Sequence, residues 1–198
     1  MAIFNLFVWG LLFIVFIIKL AGSIRIVPTQ SAFIVERLGK YKNTLEPGFH
    51  LLVPFVEKVA FVQSLKEEAV SVPPQECFTK DNVQVEVDGV LYLQVVDAVN
   101  ASYGVTDYRF AASQLAQTTT RSVIGLLELD RTFEEREEIN HRVVRVLQEV
   151  EDQWGVQVKR FEVKNIVPPQ SIRESMEKQM SAERERRALI FQSEGKRQ

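Results

Sequence analysis

The first eighteen residues of this 198-residue chain contain no charged side chain and are almost entirely Ile, Leu, Phe and Val. As an α-helix, residues 2–18 would measure about 25 Å, slightly less than the roughly 30 Å hydrocarbon core of a bilayer. This length predicts a membrane anchor that either spans the bilayer or inserts partly, as an aromatic-rich wedge. The candidate anchor residues are Phe4, Phe7, Trp9, Leu11, Phe13, Phe16 and Ile18.

Two other interpretations of this segment are a cleaved signal peptide and a buried helix of a soluble domain. A signal peptide carries its basic residues before the apolar run, whereas Lys19 and Arg25 follow it here. A surface helix of a soluble domain needs a polar face, which residues 1–18 lack. We therefore favour an anchor over residues 1–24. By the positive-inside rule, Lys19 and Arg25 place the rest of the chain on the cytoplasmic side.

Composition excludes several classes of function. The 24 Lys and Arg residues are balanced by 26 Asp and Glu, and the net charge of −2 leaves no electrostatic footprint for nucleic acid. The single cysteine, Cys77, excludes an intramolecular disulfide, and His50 and His141 do not have the spacing of zinc ligands. We expect no nucleic-acid partner, no metal and no cofactor.

After the anchor, short apolar runs are broken by Pro and Gly, which predicts strands at residues 32–36, 59–63 and 69–72. Pro73-Pro74 is expected to end the last of these. The clearest strand is predicted at residues 83–95, where we expect Gly89 to introduce a bend that moves the apolar set to the other face. These runs together indicate a small, twisted antiparallel sheet.

Two helices are predicted next. Residues 107–127 carry apolar side chains at near-helical spacing. A second helix is expected to begin with a capping box formed by Thr132 and Glu135, and to end before Gly155. Its predicted apolar face is Ile139, Val143, Val146, Val150 and Trp154. Because a strand at 156–163 follows, the order of elements predicts an α+β domain over residues 25–167.

Pro168-Pro169 precedes a last helix, predicted from residue 172 to the end, that is charged on nearly all sides. We expect i,i+4 pairs between Glu174 and Lys178 and between Glu183 and Arg187. Such a helix is either a solvated surface helix or one whose stability depends on neighbours in an oligomer. The candidate oligomerisation residues are Glu183, Arg184, Glu185, Arg186 and Arg187. Residues 168–198 are interpreted as the truncated start of a longer charged helix.

Motifs of catalysis are absent from the sequence: it has no Gly-x-Ser-x-Gly, no Gly-rich phosphate loop, no His-Glu-x-x-His and no Cys-x-x-Cys. The densest carboxylate cluster surrounds Arg136 and is interpreted as a solvated helix face. We therefore expect no enzymatic activity.

Several motifs, in order along the chain, resemble the SPFH or Band 7 family. They are Glu36-Arg37-Leu38-Gly39-Lys40-Tyr41, Pro47-Gly48, Thr79-Lys80-Asp81-Asn82-Val83, Val87-Asp88-Gly89-Val90, Trp154-Gly155-Val156 and Ala182-Glu183-Arg184-Glu185-Arg186-Arg187-Ala188. The resemblance covers the chain from residue 25 onward and is closest to the stomatin and paraslipin branch, including its bacterial inner-membrane member.

The resemblance implies an SPFH domain with packed helices, and a noncatalytic scaffold that oligomerises into rings or cages. It also implies contact with membrane lipids, organisation of membrane microdomains, and association with membrane proteases or NfeD-type proteins. The alternative is a regulatory subunit that binds one membrane protease or channel stoichiometrically. Because the chain shows no Arg-rich transit peptide, we expect a bacterial plasma membrane.

Overall fold

The computed structural model describes residues 9–10 and 22–195. From residue 22 onward the strands are β1 (Ile24–Val27), β2 (Ser31–Arg37), β3 (Lys40–Leu45), β4 (Gly48–Leu51), β5 (Glu57–Ser64), β6 (Glu68–Phe78), β7 (Gln84–Val95) and β8 (Val156–Val167). The helices are α1 (Ala98–Tyr103), α2 (Tyr108–Ile124), α3 (Leu129–Glu134), α4 (Arg136–Gln148), α5 (Glu151–Trp154) and α6 (Gln170–Gly195). Seven strands, five helices, a strand and a helix follow in this order, which confirms the α+β class.

The strands form three antiparallel sheets. β1 pairs with β4, β2 lies between β3 and β5, and β7 lies between β6 and β8. The predicted single sheet is therefore divided, because the chain reverses at short turns after β2 and β3 and begins a new sheet at β6. A small core of Val27, Val35, Leu45 and Leu52 joins the first two sheets.

The main core lies between the β6–β7–β8 sheet and helices α2 and α4. β7 contributes Leu91 and Leu93, both fully buried, and α4 contributes Ile139 and Val143. Tyr108 begins α2 in this core, where Asp107 caps the helix by accepting hydrogen bonds from the N–H groups of Arg109 and Phe110. The predicted helix at 107–127 is thereby confirmed, with its last turn ending at Gly125.

The predicted change of face at Gly89 is wrong. Every second side chain of β7, from Val85 to Val95, faces the same core. The bulges near Gly89 lie in the neighbouring strands. β8 has an extra residue, Lys164, opposite the Asp88–Gly89 step, and β6 has an extra residue at its prolines. Gly89 is needed for another reason: a Cβ there would lie 2.8 Å from the Phe161 ring and 2.9 Å from the Glu162 carbonyl oxygen.

The expectation that Pro73-Pro74 ends a strand is also wrong. β6 runs through both prolines to Phe78, and its register against β7 shifts between Val72 and Gln75. β6 is an outer strand, so a bulge places the prolines where they do not interrupt the hydrogen bonds to β7.

The predicted capping box of the second helix does not form. Thr132 is buried within α3, where its hydroxyl donates to the Leu129 carbonyl at 2.6 Å, and α4 begins only at Arg136. The predicted helix is consequently three helices, and Ile139, Val143 and Leu147 form the buried face of α4. Gly155 follows α5 in the left-handed conformation, φ 63°, which confirms the predicted helix end.

The last helix begins at Gln170, immediately after Pro168-Pro169 and two residues before its predicted start, and is described as far as Gly195. Ile172 and Met176 pack against the main core, and the rest of the described helix is mostly exposed. Glu183 pairs with Arg187 at 3.1 Å as predicted. Glu174 instead accepts a hydrogen bond from Gln170 at 2.9 Å, so the expected partner of Lys178 is occupied elsewhere.

Candidate functional site

One end of the domain presents an apolar face on the β1–β4 pair. Ile24 lies opposite Leu51, and Ile26 lies opposite Phe49, so the four side chains share one face of this two-stranded sheet. All four are exposed, by 45% to 74%. Apolar residues at such density on a small sheet are costly to leave in water, which marks the face as a contact surface.

Two turns extend this surface. Leu38 lies in the β2–β3 turn and is 80% exposed, and Phe55 lies in the β4–β5 loop and is 73% exposed. Both have left-handed backbone conformations, with φ of 50° and 68°, which are uncommon for large apolar residues. The Leu38 N–H donates to the Val56 carbonyl at 3.1 Å, so the two turns are adjacent. We call Ile24, Ile26, Leu38, Phe49, Leu51, Val53 and Phe55 the apolar end.

The Glu57 carboxylate holds the two turns together. It accepts hydrogen bonds from Arg37 Nη2 at 2.8 Å, from Lys42 Nζ, and from the Val53 N–H at 3.1 Å. Its side chain is 1% exposed. The hydrogen bonds from Lys42, from the Val53 backbone and from Arg37 lower the pKa of Glu57 from 4.5 to about 2. One buried charge therefore links the β2–β3 hairpin to the β4–β5 loop.

The apolar end lies where the chain emerges from its N-terminal segment. Leu52 donates its N–H to the Ser23 carbonyl at 2.9 Å, and Ile24 begins β1. The predicted anchor residues Phe4, Phe7, Leu11, Phe13, Phe16 and Ile18 lie outside the described residues, whereas Trp9 is described and is 71% exposed. Among the described helices, none has the length and apolar character needed to cross a membrane.

Most of the apolar end was missed by sequence reasoning. The sequence singles out only the loop Val53-Pro54-Phe55-Val56, because apolar loop residues beside a proline either enter a membrane interface or pack onto the sheet. The exposure of Val53 and Phe55 favours an open surface. The signal that could have revealed the rest is the alternation of Ile24 with Ile26 and of Phe49 with Leu51. Its meaning depends on the pairing of β1 with β4, which brings together Ile24 with Leu51 and Ile26 with Phe49, more than 20 positions apart in the sequence.

The charged cluster of α6 is exposed and is partly paired within the helix. Glu183 accepts from Arg186 at 3.0 Å and from Arg187 at 3.1 Å. These hydrogen bonds, first that from Arg186, lower the pKa of Glu183, and Glu183 in turn raises the pKa of Arg186. Arg184 and Glu185 make no ion pair with any described residue. Of the five predicted residues, these two are therefore free to pair elsewhere.

The described part of the chain contains no group of three or more His, Cys, Asp or Glu side chains placed to hold a metal ion. Cys77 is buried, and its burial raises the pKa of the thiol. A neutral thiol inside a core is a poor nucleophile.

Comparison with known proteins identifies the family. Residues 25–197 match the family described as "SPFH domain / Band 7 family". The chain is 46% identical to human stomatin-like protein 2, mitochondrial, over 87% of this chain and 48% of the relative. It is 47% identical to stomatin-like protein stl-1 of Caenorhabditis elegans, over 88% and 54%. An uncharacterised protein of Methanothermobacter thermautotrophicus is 47% identical over 89% and 55%.

The chain thus spans about half the length of the curated relatives that it matches. The match to the family covers the domain and α6, and the similarity to the human and Caenorhabditis elegans stomatin-like proteins agrees with the order of motifs along the chain. The chain belongs to the SPFH/Band 7 family, in its stomatin-like branch.

Proposed function

We propose that this chain is a noncatalytic, membrane-anchored scaffold that oligomerises into rings or cages. In this role it organises membrane microdomains and recruits or regulates membrane proteins, such as proteases or NfeD-type partners. The observation that carries the proposal is the apolar end, which lies beside Ser23, where the predicted anchor over residues 1–24 meets the domain.

The geometry of the apolar end suits a bilayer surface. Leu38 and Phe55 project from adjacent turns, and the cations Arg37, Lys40, Lys42 and Lys58 lie within a few residues of them along the chain. Apolar tips bordered by cations suit a membrane surface, because the tips can enter the acyl-chain region while the cations contact the anionic headgroups. We infer that the domain rests on the bilayer through this end while residues 1–18 hold it there.

Assembly through helices is favoured over assembly through sheet edges. Each outer strand of the two three-stranded sheets carries an extra residue: Lys42 in β3, Ala60 in β5, one of the prolines in β6, and Lys159 and Lys164 in β8. Bulges and edge lysines oppose the pairing of strands from different molecules. The exposed α6 is then the element best suited to self-association, and Glu183, Arg184, Glu185, Arg186 and Arg187 are its candidate contact residues.

A shared membrane plane strengthens weak contacts between copies. Anchoring raises the effective concentration of neighbouring domains. Exposed ion pairs between copies, which contribute about 0 to 1 kcal/mol each, can then stabilise the assembly together. A heterologous contact repeated around an axis closes into a ring when the rotation suits. By the positive-inside rule, Lys19 and Arg25 favour the cytoplasmic face of a bacterial plasma membrane for the domain.

Chemical cross-linking in intact membranes tests the proposed function against the regulatory-subunit alternative. A scaffold gives a ladder of self-adducts whose masses are multiples of 22.7 kDa. A stoichiometric regulatory subunit gives one hetero-adduct and no ladder, and that result would reject the scaffold.

A further inference from the structure

A groove of about 730 Å³ runs between α3 and α6. Its apolar floor is formed by Phe133, Met176 and Met180, of which Met180 is 51% exposed. Asp130 and Glu134 stand on the α3 wall, and Glu183, Arg184 and Arg187 on the α6 wall. An apolar floor with charged walls is the form of a site that receives an amphipathic helix.

The α3 wall carries negative charge that the described residues leave unpaired. Asp130 and Glu134 are exposed and form no ion pair there, because Arg131, the cation between them, pairs with Glu135 at 2.6 Å. The α6 wall offers Arg184, which is likewise unpaired within the described chain. An occupant of the groove must therefore bring a cation to the α3 wall and an anion to the α6 wall.

The opposite face of α6 has this pattern. Lys178, Ala182, Glu185 and Leu189 follow one another at steps of four, three and four residues, so they share the helix face that points away from Met176, Met180 and Arg187. All four are exposed, Leu189 by 61%. Lys178 and Glu185 form no ion pair among the described residues. We call these four residues the back face of α6.

We propose that the groove of each copy receives the back face of α6 from the next copy, with Lys178 of the neighbour against Asp130 and Glu134. This inference rests on the proposed function and names the surface through which the copies join. Copies anchored in one plane and related by rotation about the membrane normal keep their α6 helices at one height and at one angle to the membrane. Glu185 of the neighbour then lies beside Arg184, because residues 184 and 185 occupy nearly the same height in the two α6 helices.

The groove and the back face lie on opposite sides of one helix, so each copy can bind two neighbours at once. In an open chain of such head-to-tail contacts, the two end copies keep one groove and one back face unoccupied until the ring closes. A two-fold dimer, in contrast, would bring the same surface of both copies together and would stop at two.

Charge reversal in the full chain, extracted in detergent, tests this contact. We expect Lys178→Glu, and separately Asp130→Lys with Glu134→Lys, to lower the assembly mass several-fold toward that of one chain. Combining the three substitutions restores opposite charges across the contact and should restore the wild-type mass. Lys66→Glu, an equal change of charge at an exposed bend, is the control and should leave the mass unchanged.

Disulfide trapping gives a second readout that does not depend on loss of assembly. With Cys77 buried, the pair Glu134→Cys and Lys178→Cys should form a ladder of oxidised multimers, whereas either substitution alone should not. Dimers without higher multimers would overturn the head-to-tail contact. The contact would also be overturned if the wild type assembles and the Lys178→Glu variant has the same mass. A monomeric wild type would overturn both this contact and the proposed scaffold.

Discussion

Glu57 is the residue on which the shape of the apolar end depends most directly. Its carboxylate is surrounded by Arg37, Lys42 and the Val53 N–H, which belong to the two turns that carry Leu38 and Phe55. The left-handed backbone of Leu38 and Phe55 costs free energy that neighbouring contacts must offset. An ionised carboxylate with three donors supplies such a contact.

We expect Glu57→Gln to lower the free energy of unfolding at pH 7 by roughly 1.5 to 3 kcal/mol, the usual worth of hydrogen bonds to a charged group. Because the pKa of Glu57 in the folded state is about 2, below its ordinary 4.5, the ionised group stabilises the fold above about pH 4.5. This contribution is lost as the pH falls from 4.5 toward 2. The difference between wild type and variant, measured by urea unfolding, should shrink over that interval.

Glu138→Gln provides the matched control for this experiment. Glu138 is exposed and pairs with Arg142 across one helical turn, so its removal should change stability much less than removal of Glu57. Equal effects of the two substitutions, or a difference at Glu57 that persists to pH 2, would contradict the role given to Glu57.

At the scale of elements, sequence patterns predicted the positions of most strands and helices. The alternation of β7, the residues of α2 and the start of α6 after Pro168-Pro169 follow from local periodicity and turn residues. The bulges and the face of β7 could not be predicted in the same way. Where an extra residue is inserted depends on the partner strand, and β8 lies more than 60 positions away from β7 in the sequence.

Gly155 is an element boundary that the sequence predicted correctly, and its structure adds a second constraint. Besides φ of +63°, a Cβ there would lie 2.3 Å from the Asp97 carbonyl oxygen. We expect Gly155→Ala to destabilise the domain by roughly 2 to 4 kcal/mol, from backbone strain and overpacking together. Thermal unfolding followed by circular dichroism measures the loss.

Gly125→Ala is the control, since Gly125 has a right-handed helical backbone and its added Cβ would find its nearest atom at 3.5 Å. This substitution should be close to neutral. If both alanine variants unfolded at the same temperature as the wild type, the close approach at Gly155 would not matter to the fold.

The charged cluster of α6 is also an element-scale prediction. Replacing Arg184, Arg186 and Arg187 by Glu should lower the assembly size in detergent, because like charges would then face one another on the helix and between copies. Replacing the same three residues by Lys keeps their charge and should largely keep the assembly. Unchanged size for the Glu variant, measured by light scattering, would remove these arginines from the contact.

At the scale of the whole molecule, the apolar end is assembled from three separate parts of the chain. β1, the β2–β3 turn and the β3–β5 region meet only after the antiparallel pairing of β1 with β4 and of β2 with β5. Local patterns name the residues but do not bring them together, which is why sequence reasoning found the loop around Phe55 and missed Ile26 and Phe49.

This surface predicts that the domain binds membranes without its anchor. A chain lacking residues 1–18 should still float with lipid vesicles after a high-salt wash, with reduced retention. Adding Leu38→Ser and Phe55→Ser should release it, because each side chain contributes about 1.5 to 3 kcal/mol when buried in an apolar phase. Phe110→Ser, which alters a 65% exposed residue of α2, is the control and should not.

Complete release of the shortened chain before any further substitution would assign membrane attachment to residues 1–18 alone. Retention that survives the two serine substitutions would instead require another membrane surface on the domain.

The central claim, a scaffold that assembles from many copies, is tested most directly by the mass of the detergent-extracted chain. Light scattering with the detergent contribution subtracted gives this mass in solution. The account predicts a value many times the 22.7 kDa of one chain. A mass of 22.7 kDa would contradict assembly by residues 1–198 and, with it, the ring-forming contact between α3 and α6.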